Sequence, residues 1–158
     1  MGTLNLSSTV AVTPDNYAGP AFSAYRNNAL SISATTVTKI ALDSELFDTN
    51  SCFDSTTNYR FTPNVAGYYQ LNGGVMVATT TTTQWIQTSI YKSGTEVCRG
   101  SSAITGQSGA YPESTAATLL YLNGTSDYVE LYAYSNTSLN FNVGIQHVYF
   151  NGFLARAA

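Results

Sequence analysis

The chain has 158 residues, enough for one domain with a real core, and only 9 % of them are charged, against about 25 % in an ordinary globular domain. Its net charge is −3, and its cations (Arg26, Lys39, Arg60, Lys92, Arg99 and Arg156) are scattered along the chain. That distribution argues against a nucleic-acid backbone as partner. Thr, Ser and Asn dominate the polar set, and 12 tyrosines are present. Part of that composition is ordinary β preference, and part suits a surface that packs against another protein.

Residues 1–19 read as an extended N-terminal arm. Leu4, Leu6, Val10 and Val12 fall at even spacing, and Pro14, Gly19 and Pro20 punctuate the stretch after them. The arm fits either an edge strand or a tail that docks on a partner. The opening "MGTLNLSSTVAV" has neither a basic start nor a sustained apolar run, so no secretory signal is expected. No stretch is apolar enough for a membrane-spanning helix.

From residue 20 to 158 the text is short strands and turns. "AFSAYR" is followed by "NNALSISATTVTKIALD", in which Leu30 and Ile32 alternate. "LFDTNSCFDSTTNYRF" is rich in Asp, Asn, Ser and Thr and reads as a loop. Next, "FTPNVAGYYQLNGGVMVA" places Tyr69, Leu71, Gly73, Val75 and Val77 in one phase and Gln70 and Asn72 in the other. That is a strand with one dry face and one wet face.

"TTTTTQWIQTSIYK" sets Ile86, Thr88 and Ile90 against Trp85, Gln87, Ser89 and Tyr91, and "KSGTE" is a hairpin turn centred on Gly94. "GSSAITGQSGAYPES" reads as a glycine and serine loop. "TAATLLYLNGTSDYVELYAYS" gives two strands, and "LNFNV" and "HVYFNGFLA" close the chain. No stretch of helical length keeps a 3.6-residue period. Short strands at regular spacing predict an all-β sandwich or jelly roll.

Several of these segments, in this order, resemble the globular head of complement C1q. "AFSAYR" resembles the family's first strand. "FDTNSCFDSTTNYRFTPNVAGYYQL" resembles its central signature, through Asn50, Phe53, Asp54, Phe61, Thr62, Val65, Gly67 and Tyr69. "IYKSGTEV" is similar to its hairpin, "LLYLNGTSDYVEL" to its Leu-x-x-Gly-Asp-x-Val turn, and "FNGFLA" to its closing Phe-x-Gly-x-Leu. Ala66 stands where the family has Pro, Ser126 stands where it has Gly, and no Gly-X-Y stalk is present. The resemblance spans about residues 20–156. It implies the ten-stranded antiparallel jelly roll shared with tumour necrosis factor, of the stalkless kind found in phage and bacterial proteins, and a homotrimer.

Little of the sequence points to catalysis. His147 stands alone, and Cys52, Cys98 and His147 lack metal-ligand spacing. No nucleophile elbow is present. The two cysteines suit one disulfide or two buried thiols, and sequence does not choose between them. Asp43, Glu45, Asp48 and Asp54 lie close together. The resemblance brings calcium to mind there, but without a spaced Asp-x-Asp array solvated loop acids are the favoured reading, and no cofactor is assigned.

What remains is surface. Tyr68, Tyr132, Tyr134, Tyr149 and Phe153 alternate with apolar core positions, so a lone subunit would expose several rings that threefold association would bury. Such a surface suits two readings. The first is a non-enzymatic virion protein, a trimeric capsid decoration or cement protein on a phage-like particle. It would sit at the virion surface and dock on the major capsid protein or another virion protein through Leu4, Leu6, Val10 and Val12. The second is a receptor- or glycan-binding tip of a tail fibre or adhesin, with Trp85 and Tyr111 in the binding loops.

Overall fold

In the computed structural model, the described residues are 19–78, 84–100, 103–105 and 111–158. The arm positions Leu4, Leu6, Val10 and Val12 lie outside them. Fourteen strand segments, numbered in chain order, are described.

One sheet joins β1 (Ala21–Tyr25), β4 (Ser44–Asp48), β7 (Gly67–Met76), β11 (Glu113–Leu122) and β14 (Val148–Ala157), in the spatial order β11-β7-β14-β1-β4. A second sheet has seven strands: β3 (Thr38–Lys39), β5 (Phe53–Asp54), β6 (Arg60–Phe61), β8 (Gln84–Lys92), β9 (Thr95–Arg99), β10 (Ala103–Thr105) and β12 (Val129–Ser135). β2 (Leu30–Ile32) and β13 (Leu139–Phe141) form a two-stranded pair. All pairings are antiparallel. The count exceeds ten because several segments are only two or three residues long.

The alternation read from sequence sets the packing. Tyr69, Leu71, Val75 and Val77 are fully buried, as are Ile86, Thr88 and Ile90. At the centre, four phenylalanines and a tyrosine interlock. Phe22 stacks on Phe61 with centroids 4.3 Å apart and on Phe53 at 5.1 Å, and it meets Phe150 edge-on at 5.2 Å. Tyr69 meets Phe61 edge-on at 5.6 Å. Its hydroxyl donates to Val65 O at 2.7 Å, which satisfies the one polar atom the cluster buries. Gly73 lets the sheets approach, because a side chain there would run into Leu131 of the facing sheet.

The sandwich is closed along one side. Thr88 N donates to Ser114 Oγ at 3.0 Å, Thr88 Oγ1 donates to Ser114 O at 2.7 Å, and Gly100 N donates to Thr88 O at 2.7 Å. At the other side β4 pairs only with β1 among the described residues. The hairpin between β8 and β9 turns through Ser93 (φ 48°) and Gly94 (φ 82°), the conformation a two-residue primed turn requires.

Two stretches read as loop contain strands. Residues 46–61 hold most of β4 and all of β5 and β6, and residues 100–114 hold β10 and the start of β11. Asp side chains build the first of these. Asp48 Oδ2 accepts from Phe53 N at 2.7 Å. Asp54 accepts from the backbone N–H groups of Thr56, Thr57 and Asn58 at 2.9–3.0 Å, closing the turn between β5 and β6.

Two outer faces as the candidate functional site

A two-sheet sandwich leaves one outward face on each sheet, and here the two faces differ in chemistry. On the five-stranded sheet, the strand register lays out successive rows. The first sets Tyr68 beside Tyr121, the second Gln70 beside Leu119 and Phe153, the third Asn72 beside Ala117 and Asn151, and the fourth Gly74 beside Thr115 and Tyr149. From the Gln70 row to the Gly74 row these positions carry no charge. Glu113 and Arg156 stand at opposite ends of the face.

Phe153 is 51 % exposed, Leu119 57 % and Tyr68 46 %. Tyr68 and Tyr121 meet edge-on at 5.7 Å. Asn72 Nδ2 donates to Asn151 Oδ1 at 3.2 Å. Tyr149 lies against Gly74 so closely that a Cβ there would stand 2.9 Å from its ring. Burial, with the charge of Glu113, pushes the Tyr149 phenol above its usual range. Between β4, β1 and β14 a groove of about 220 Å³ opens, bordered by Ala21, Ser23, Phe47, Asn151 and Phe153.

The seven-stranded sheet turns Glu130, Tyr132 and Tyr134 of β12 outward, opposite Tyr91, Ser89 and Gln87 of β8. This face carries charge and pairs it. Lys39 Nζ donates to Glu130 Oε1 at 2.5 Å, and the Tyr132 hydroxyl donates to Glu130 Oε2 at 3.3 Å. Arg99 donates to both oxygens of Glu96, at 2.9 and 2.6 Å, and the Ser89 hydroxyl donates to Glu96 Oε1 at 2.6 Å. Burial, reinforced by Glu130, pushes the Tyr132 phenol up to about 12. Tyr91 and Tyr132 pack with centroids 4.1 Å apart, and Trp85 meets Tyr134 edge-on at 6.4 Å.

The structure therefore divides the five aromatic positions singled out from sequence. Tyr68, Tyr149 and Phe153 share the outer face of the five-stranded sheet, while Tyr132 and Tyr134 lie on the opposite side of the sandwich. Leu119, Tyr121 and Phe47 join that five-stranded face and were not singled out. The alternation in "TLLYL" carried the signal for the first two, since the neighbouring Leu122 is fully buried. Trp85 lies on the seven-stranded sheet. Tyr111, 60 % exposed, precedes β11 of the other sheet.

Asp43, Asp48 and Asp54 serve the fold, while Glu45 stands exposed on β4. Asp43 pairs with Arg26 at 2.9 Å and accepts from Asn27 N at 2.7 Å. Asp48 and Asp54 hold the turns described above. Among the described residues no three His, Cys, Asp or Glu side chains gather as metal ligands. Cys52 is buried and Cys98 half-buried, both as free thiols. Among the described residues no helix is long and apolar enough to cross a membrane.

No protein-family model matches the chain, and no curated protein does. Solved structures do. The globular domain of zebrafish complement 1qA aligns with a TM-score of 0.63 at 17 % identity, covering 89 % of this chain and all of that one. Eiger TNF from S. frugiperda aligns with a TM-score of 0.67 at 9 % identity, covering 89 % of this chain and 96 % of that one. Murine APRIL aligns at 0.60 and 14 % identity, covering 87 % and 99 %. The fold is thus the C1q/TNF-like jelly roll expected from the sequence.

Proposed function

We propose that this chain is a non-enzymatic structural protein. It assembles as a homotrimer through the outer face of its five-stranded sheet and decorates the surface of a phage-like particle. One observation supports this reading most. From the Gln70 row to the Gly74 row the β7, β11 and β14 positions of that face hold exposed Phe153 and Leu119, half-buried Tyr149, small residues and amides, with no charge to desolvate. Such a face is costly to leave in water and resembles the core of an interface, where charged residues are depleted. The C1q/TNF likeness supports association with copies of itself, since that family assembles as trimers.

Attachment to the particle is assigned to residues 1–19, with the major capsid protein or another virion protein as partner. Leu4, Leu6, Val10 and Val12 would each contribute about 1.5–3 kcal/mol if fully buried. Ordering costs about 1–2 kcal/mol per residue. One arm alone would hold weakly, and three arms on one trimer would act together through effective concentration.

The experiment is deletion of residues 2–19 followed by co-sedimentation with particles. The truncated protein is expected to keep its melting temperature and mass and to lose particle binding. Retained binding would move docking to the body, and a failure to bind by the full chain would remove the particle from the account. The second reading, a receptor- or glycan-binding tip of a tail fibre or adhesin, is favoured by one observation: Trp85 stands 42 % exposed beside Tyr134, away from the uncharged face.

A further inference from the structure

We infer that the Trp85 end of the seven-stranded sheet is a binding site for an uncharged pyranose sugar. Trp85 is the chain's single tryptophan, and its position is fixed rather than loose. Trp85 N donates to Asn136 Oδ1 at 2.7 Å, and Asn136 N donates back to Trp85 O at 3.2 Å. Tyr134 stands across from the indole with an interplanar angle of 81°. Two rings at right angles make a corner, in which one ring offers a flat apolar face and the other a wall ending in a hydroxyl. Gln87 is the register partner of Tyr134 and carries an amide on the same outward phase.

This set of groups matches a sugar ring. The C–H face of a pyranose stacks on an indole or phenol face, and its hydroxyls need a few placed donors and acceptors. Charge decides between ligand classes. Lys39 and Arg99 are taken up in pairs with Glu130 and Glu96, and Arg60 lies over the Tyr128 ring beside the start of β12, away from Tyr134. Positions 85, 87, 134 and 136 are uncharged. An anionic sugar or a phosphate would lose its water and find no cation there, whereas a neutral saccharide loses nothing of the kind. The site lies on the sheet opposite the proposed trimer face. The inference stands whether or not the chain decorates a particle.

The single tryptophan makes the test direct. Trp85 fluorescence is followed while the full chain is titrated with chitotriose, cellotriose or maltotriose. A saturable change with at least one of them is expected. Tyr134→Ala should weaken that binding about tenfold and Gln87→Ala about threefold, while Phe153→Ala, on the opposite face, should leave it unchanged. Gln87 is a surface amide, so its variant decides the matter if Tyr134→Ala fails to fold by circular dichroism. No saturable response to any of the three sugars at about 10 mM would overturn the inference. So would a response that both Tyr134→Ala and Gln87→Ala leave intact. A response to a proline-rich peptide but to none of the sugars would also overturn it, by assigning the rings to peptide docking.

Discussion

The two outer faces of this sandwich come from the same strand periodicity and the same tyrosine-rich composition, yet they are finished differently. On the seven-stranded face aromatic rings are embedded among ion pairs, and the Tyr132 hydroxyl is committed to Glu130. On the five-stranded face Phe153 and Tyr149 stand in rows with Ala, Gly, Thr, Asn and Gln on β7, β11 and β14, and the charges of Glu113 and Arg156 lie at the two ends. A face whose charges are neutralised internally can remain in water. A face with large apolar groups and no charge is better suited to another protein surface. Aromatic content therefore does not separate the two faces in this molecule, whereas the distribution of charge does.

The largest effect is expected where the faces share a core. Phe61 stacks on Phe22 and meets Tyr69, so Phe61→Ala should cost about 3–5 kcal/mol and collapse both faces together. Thermal unfolding followed by circular dichroism measures this. A loss below 1 kcal/mol, on the order of a surface change, would mean that the sheets do not depend on that cluster.

Next comes the ion pair that only one face has. Lys39→Met leaves Glu130, 5 % exposed, without its cation. It should cost about 1.5–3 kcal/mol, the range for a hydrogen bond to a charged group. Replacing both partners, Lys39→Met with Glu130→Leu, should recover part of that loss. Equal stability of the single variant and wild type would show that the pair is only a surface contact.

A smaller effect separates the loop acids from both faces. Burial pushes the Asp43 carboxyl up, but hydrogen bonds from Asn27 and Asn28 and the Arg26 guanidinium outweigh it and hold the carboxyl below its usual range. Backbone donors from Thr57 and Thr56 hold Asp54 lower still. Because the folded-state pKa values are depressed, this stabilisation is complete above the unfolded value of about 3.9 and is lost as pH falls below it. The melting temperature should therefore drop on acidification below about pH 4. The drop should be shallower in Asp54→Asn, and parallel curves for the two proteins would remove Asp54 from the acid limb.

Strand phase was legible in the sequence, and sheet membership was not. Tyr69 and Leu71 could be assigned inward and Gln70 outward from a single segment, because alternation is local. Which sheet a segment joins depends on pairings between distant residues, such as Val129 with Lys92 and Val148 with Val75. Hence Tyr132 and Tyr134 were grouped with Tyr68, Tyr149 and Phe153, although they face the other way. The Lys39–Glu130 pair joins positions 91 residues apart and leaves no mark in either segment. The short strands within residues 46–61 were hidden for a different reason. Asp, Asn, Ser and Thr signal a loop, and here Asp48 and Asp54 use their carboxylates to tie that loop into β5 and β6.

The difference between the faces is tested most directly by the mass of the full chain in solution, measured by light scattering for wild type, Phe153→Arg and Tyr134→Arg. The subunit mass is 16.9 kDa. The account predicts three times that value for wild type and for Tyr134→Arg, and the subunit mass for Phe153→Arg, where a charge enters the uncharged face. A wild-type chain that runs as a single subunit at micromolar concentration would contradict it, as would two arginine variants that behave alike.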